Sequence, residues 1–246
     1  MRAWGRQLLA SVLVNSIYEM KNYPVVLLNT VLSPLSFLLV IAFVSRGQLI
    51  GEAIEGGFIM SMFQSGMSLQ GDLSHLKNDF KLQDMVVSSP TSPSAYVAGM
   101  ALAEVIYSVP ALAVLTVLAA IYIHPGATEA LELLGVFLLM FLTSVTLGFT
   151  LSTFSSDIVQ SFAFSRLIST VFSTLPPVYY PITYIPLPFR YAAYLSPTTY
   201  AAEIAQNASG LISFSESEIV IAWVIMLAVT TAFTVLAAKT ARWREV

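Results

Sequence analysis

From Pro24 to Val44 the chain runs without a charged side chain, held between Lys21 and Arg46. A helix over that run is about 31 Å long at 1.5 Å per residue, which matches a bilayer's hydrocarbon core of about 30 Å. The pattern recurs. Residues 133–154 and 219–238 carry no charge, 96–123 carry only Glu104, and 158–175 carry only Arg166. A shorter uncharged run, 56–70, is laced with Ser61, Gln64, Ser65 and Ser68. Composition agrees: 57% of the 246 residues are apolar and 10% charged, where soluble domains average about 25% charged. The expected fold is all-α, a polytopic membrane protein whose single transmembrane domain spans the whole chain. Its six transmembrane helices lie near 24–44, 56–70, 96–123, 133–154, 158–175 and 219–238.

Charge placement orients these spans. With a cytoplasmic N-terminus, inner segments hold Arg2, Arg6, Lys21, Lys77, Lys81, Lys239, Arg242 and Arg244, and outer segments only Arg46 and Arg190. Acids collect outside: Glu52, Glu55, Glu129, Glu132, Glu203, Glu216 and Glu218. Both termini are therefore expected in the cytoplasm, in a multi-pass protein of the cell membrane. A net charge of −3 offers nucleic acid no basic field. The absence of cysteine excludes a disulfide scaffold, a thiolate metal site and a cysteine nucleophile.

Residues 2–21 pattern as an amphipathic helix lying at the inner interface. Trp4, Leu8, Val12 and Ile17 share one side, with Arg2 and Arg6 near the headgroups. The apolar run 8–14 is short, and no A-x-A-like cleavage site follows it as in a signal peptide. A second amphipathic helix is expected over 73–85. There Leu73, Leu76 and Phe80 recur at helical spacing among His75, Lys77, Asp79, Lys81 and Asp84. It ends in the Ser88-Ser89-Pro90-Thr91-Ser92-Pro93 turn. Two roles fit it: resting on lipid headgroups, or docking a cytoplasmic partner through Phe80 with a charged rim.

Residues 176–210 contain six prolines and seven aromatics, including Tyr179, Tyr180, Phe189 and Tyr191. The stretch is too apolar for an aqueous loop and too broken for a span. Short re-entrant helices in the outer leaflet satisfy both constraints, as an outer gate or as an interfacial anchor. Inside the membrane, Glu104 and Arg166 each lie eight residues from the inner start of their spans, about 12 Å deep. Equal depth permits an ion pair between them, with snorkelling as the alternative. Ser61, Ser65 and Ser68, with Gln64, mark either a close helix–helix packing face or a polar translocation surface.

No phosphate-binding loop of the G-x-x-x-x-G-K-[ST] type is present, and no polar interval is long enough for an ATPase domain. His75 and His124 are predicted on opposite sides, so no metal constellation forms. The chain reads as a conduit that is not itself an enzyme and binds no cofactor. The order of its motifs resembles the permease subunits of ABC-2 type ABC transporters over nearly the whole length. The resemblance is carried by the basic N-terminal helix, six spans, Leu82-Gln83-Asp84-Met85-Val86-Val87-Ser88-Ser89-Pro90-Thr91-Ser92-Pro93 followed by Ala98-Gly99-Met100, and Tyr194-Leu195-Ser196-Pro197-Thr198-Thr199-Tyr200-Ala201-Ala202-Glu203. One position departs: relatives often carry Lys or Arg where this chain has Met100.

The resemblance implies an export permease working with two cytoplasmic ATP-binding subunits, which carry the ATP and Mg, and with a second permease subunit, identical or homologous. It implies that the helix with Leu73, Leu76, Lys77, Phe80, Lys81 and Asp84 is the coupling helix docking on the ATPase. It also makes the proline-aromatic stretch the pair of short helices that close the exit. Two other classes remain: a secondary transporter or channel without an ATPase, which the single intramembrane acid disfavours, and a non-transporting assembly protein.

Overall fold

A computed structural model of the chain describes residues 2–78, 92–155, 157–174 and 176–240. All regular structure among them is helical. The order is α1 (Arg2–Val12), a π-turn (Leu13–Ile17), α2 (Tyr18–Asn22), α3 (Pro24–Val44), α4 (Ile50–Asn78), α5 (Pro93–Tyr122), α6 (Ala127–Phe154), α7 (Ile158–Thr174), α8 (Phe189–Ala193), α9 (Pro197–Ala208) and α10 (Glu216–Thr240). By length and composition, Ala95–Tyr122, Ala127–Phe154 and Glu216–Thr240 can each cross a membrane.

Local chemistry sets the ends. Pro24, Pro93 and Pro197 each open a helix at its first position, where the missing N–H costs nothing. Ser92 and Ser196 cap two of these starts, accepting from the N–H groups of Ala95 and Thr198. The α3–α4 and α5–α6 turns pass through left-handed backbone at Arg46 (φ 53), Gly47 (φ 84) and His124 (φ 55). Gly47 and His124 send their N–H groups back to Ala42 and Ala119, closing the carbonyl ends of α3 and α5.

The bundle is built around α4. Its Ala53, Ile54, Ile59, Met60, Phe63, Met67 and Leu69 are all at most 2% exposed. Ile59, Met60, Phe63 and Met67 share a core with Val136 and Met140 of α6, Ala201, Ile204 and Ala205 of α9, and Met226 of α10, while Ala53 and Ile54 join Leu38 of α3 and Leu115 and Ala119 of α5 in a second cluster. Cross-helix neighbours fix the directions. Gly57 lies against Leu115 and Ser65 bonds Ser108, so α5 runs antiparallel to α4. Ser144 donates to the Met62 carbonyl, and Gly148 sits on Gly66 and Gln70, so α6 runs parallel to α4. Phe63 meets Phe172 while Gln70 meets Ser161, so α7 is antiparallel. Thr143 bonds Thr230 at 2.6 Å and Gly135 faces Trp223, so α10 follows α6.

The α4–α6 crossing demands small residues. A Cβ on Gly66 would collide with the Ser144 hydroxyl, and one on Gly148 would come within 2.7 Å of the Gly66 carbonyl oxygen. The outermost helices behave differently. In α10 only Ala222, Met226, Thr230 and Ala237 are buried, a single stripe. Val25, Leu28, Leu32, Phe43 and Val44 of α3 are all exposed. Apolar side chains facing outward in such numbers are stable against lipid or another protein.

The N-terminal helix packs on the first turns of α5, where a Cβ on Gly99 would strike the Ser11 side chain. Val12 is buried, Trp4 and Ile17 are both 45% exposed, and Ser16 is fully buried. Ser16 lies four residues after Val12, the ordinary helical spacing for one face, and its hydroxyl donates to the Val12 carbonyl at 2.6 Å.

Candidate functional site

The polar side chains of α4 sort into three groups along its length of about 43 Å. In the middle, Ser61 and Ser65 are buried toward α5. Ser65 bonds the Ser61 carbonyl at 2.8 Å and the Ser108 hydroxyl, and Ser108 in turn bonds the Glu104 carbonyl at 3.2 Å. Gln64 is half-buried and Ser68 exposed, while Leu69, one turn after Ser65, is fully buried. Small hydroxyl residues here make the close contact that lets backbones approach.

At its Asn78 end, α4 carries Gln70, fully buried. Its amide nitrogen donates to the Ser161 carbonyl (3.0 Å) and hydroxyl (3.2 Å), and its amide oxygen accepts from the Ser165 hydroxyl at 2.5 Å. The Ser161 hydroxyl also reaches the Gln70 backbone carbonyl at 3.4 Å. Gln70 thus ties α4 to α7 through both ends of its amide. Beyond it, α4 continues through the half-buried Leu73 and through Leu76 and Lys77 to Asn78. The remaining residues assigned to docking, Phe80, Lys81 and Asp84, lie outside the described residues.

At its Ile50 end, α4 meets the 176–212 region. A Cβ on Gly56 would come within 2.6 Å of the Val178 carbonyl oxygen, and one on Gly51 within 2.7 Å of Leu211. Glu55 is 1% exposed and accepts a hydrogen bond from the Ser209 hydroxyl. Its second carboxyl oxygen and the buried Gln206 amide nitrogen have no hydrogen-bond partner among the described residues.

The 176–210 stretch forms a cap of a 3₁₀ turn (Ile182–Tyr184) and two short helices, α8 and α9. Its four gate candidates divide. Tyr179 is 5% exposed and stacks on Phe37 of α3, with ring centroids 5.3 Å apart, and Tyr180 is half-buried. Phe189 and Tyr191 are 68% and 69% exposed. The Arg190 guanidinium is folded onto the Thr183 and Ile185 carbonyls, both at 3.1 Å. Glu203 of α9 is buried and takes a hydrogen bond from Tyr194. Burial pushes the Glu203 carboxyl above its ordinary range, with the Tyr194 bond opposing. Burial and the nearby Glu203 push the Tyr194 hydroxyl up to about 12.

The two intramembrane charges differ in setting. Glu104 is 8% exposed on α5, and Arg166 is exposed on α7. Met100, where relatives often carry a cation, is 2% exposed beside the Gly99–Ser11 contact. An ammonium there would be stripped of water, so an apolar side chain suits this packing. Among the described residues no group of three or more His, Asp or Glu side chains is placed to hold a metal.

Sequence reasoning named Gln70 only as the edge of a span and Glu55 only as a loop charge. A lone amide at the end of a serine-rich apolar run was the available signal for Gln70. Nothing in the sequence linked it to Ser161 and Ser165.

A helical bundle with an apolar exterior, a polar-studded central helix and a short-helix cap defines a multi-pass membrane protein. The family model described as ABC-2 type transporter matches residues 7–208, and the chain belongs to that family. It is a membrane component of an ABC transporter, a permease, and not itself the ATPase. Among curated proteins none matches this chain.

Proposed function

We propose that the chain is the membrane-spanning subunit of an ATP-driven exporter. In this reading α3, α4, α5, α6, α7 and α10 cross the cell membrane, with both termini in the cytoplasm. Two permease subunits, identical or homologous, pair with two ATP-binding subunits that hold ATP and Mg. The observation that carries this is the family match combined with the alternating directions of the helices around α4. Alternation puts the Asn78 end of α4 on the same side as the basic N-terminal helix, where charge asymmetry places the cytoplasm.

The docking stretch 73–85, whose first residues close α4, then receives the ATPase on the cytoplasmic side, with Phe80 as its apolar anchor. Closure of the ATPase pair pushes this stretch, α4 transmits the motion, and the Ile50 end moves against the cap. Tyr179 and Tyr180 lie at the moving contact, while Phe189 and Tyr191 face outward. Glu104 and Arg166 form an ion pair that locks α5 to α7 in one transport state.

The test is purification and activity together. A P-loop ATPase of about 25–35 kDa, an ordinary domain size, should accompany the detergent-solubilised chain. Phe80→Ala and Lys81→Glu should leave membrane insertion intact and abolish the dependence of ATP hydrolysis on the permease. Wild-type dependence in both variants would remove the docking assignment.

A further inference from the structure

The long helices are fastened to one another unevenly, and α7 has a distinctive set of polar fastenings. Near its cytoplasmic start, Ser161 and Ser165 grip the Gln70 amide on both its nitrogen and its oxygen. At its far end, the Phe172 carbonyl accepts the Thr198 hydroxyl of α9 at 3.1 Å. Phe172 also lies against Phe63 of α4, with ring centroids 5.5 Å apart. With 17 residues, α7 is about 25 Å long, so the cap sits where a longer helix would have continued. Between these two ends, Leu167 and Val171 are exposed.

Buried amides joined to hydroxyls on both sides hold one geometry, because slipping by a turn would orphan several polar atoms in a low-dielectric interior. A helix gripped in this way at one end moves with its grip. The grip lies about two turns of α4 before its described end at Asn78, directly above the stretch proposed to receive the ATPase.

We propose that α7 is the rod that carries ATPase motion to the outer cap, with Gln70 as the positioning residue that couples it to α4. The inference rests on the reading of the chain as an ATPase-driven permease, and adds a route through the membrane to it. A shift of α4 drags Ser161 and Ser165 through the Gln70 amide. The displacement reaches α9 through the Thr198–Phe172 bond and loosens its packing in the core. Gln70 touches neither nucleotide nor cargo; it acts through α7.

The chain contains no cysteine, so a single introduced thiol reports on the cap. Ala205 of α9 is fully buried, and Ala205→Cys changes little volume. In the permease–ATPase complex in liposomes, its labelling by a membrane-impermeant maleimide should rise when the ATPase is trapped with ATP and vanadate. The expected rise is about tenfold, within the usual span of coupling between sites. Gln70→Met keeps the side chain's length and apolar bulk but loses its bonds. It should hold the trapped labelling rate at the resting value while the complex still hydrolyses ATP. Thr198→Val, at the other end of the rod, should do the same, and provides the test should the Gln70 variant fail to assemble.

A merely structural role would lower the melting temperature of both variants and leave the nucleotide-dependent rise intact. That result overturns the proposal. So does a complex carrying only the Ala205→Cys reporter that hydrolyses ATP with no change in thiol labelling. A wild-type chain that assembles with no ATPase instead overturns the broader reading of the protein.

Discussion

The two ends of α4 hold buried polar clusters of opposite character. At the Asn78 end, the Gln70 amide is bonded at both nitrogen and oxygen, and the Ser161 hydroxyl also bonds the Gln70 backbone carbonyl. At the Ile50 end, Glu55 is equally buried but bonded through one oxygen, and the Gln206 amide nitrogen nearby has no partner among the described residues. A satisfied cluster has one arrangement and resists displacement. An unsatisfied one costs free energy as it stands and recovers it when the contact opens to water or to a new partner. The same helix is thus clamped where force is proposed to enter and incompletely bonded where the cap is proposed to move.

This contrast can be broken at its centre first. Gly66→Val places a branched side chain into the α4–α6 crossing against Ser144, and should cost about 3 kcal/mol or prevent assembly. Denaturation in detergent measures it, and an unperturbed transition would mean the crossing is not tight. The two ends should then respond with opposite sign. Gln70→Leu orphans the Ser165 hydroxyl and strips the Ser161 carbonyl and hydroxyl of the amide donor, and should destabilise by about 2 kcal/mol. Glu55→Gln removes a poorly compensated carboxyl and should be neutral or stabilising, by about 1 kcal/mol at most. Equal losses at both ends would erase the distinction.

The smallest expected effect lies in the cap. Because burial raises the Glu203 carboxyl above its ordinary 4.5, the folded state holds that proton more tightly than the unfolded one. Stability from this group is therefore greatest below that value and declines as pH rises through the raised range. Glu203→Gln should flatten that decline in a melting-temperature profile. A profile unchanged by the substitution would show that Glu203 is not the titrating group.

How much of this was legible beforehand follows from the reach of each signal. The first long helix, Pro24–Val44, coincides with an uncharged run bounded by Lys21 and Arg46, so its ends were written in the charges. Helix α4 was harder. It extends from Ile50 to Asn78, well beyond the uncharged run 56–70, because Glu52 and Glu55 are packed inside it rather than left in a loop. Charge marks a span's end only where charged side chains reach water, and burial under the cap removed that rule here.

Aromatic richness pointed correctly to short helices after residue 176 but could not divide buried Tyr179 from exposed Tyr191, since both obey the same composition. The Gln70 cluster joins residues 91 and 95 positions apart, and no local period encodes such a pairing. The all-helical class was readable because it depends on hydrophobic run length alone. The polar contacts were not, because they depend on which helices become neighbours.

The central claim is that the chain is a conduit driven by a separate ATPase gripping the segment after α4. Gln83→Cys in the otherwise cysteine-free chain tests it most directly, by photo-cross-linking from that thiol in native membranes. The account predicts an adduct with a P-loop ATPase, formed with the thiol shielded from an impermeant reagent added outside the cell. Outside labelling of that thiol, with no ATPase adduct, would contradict it.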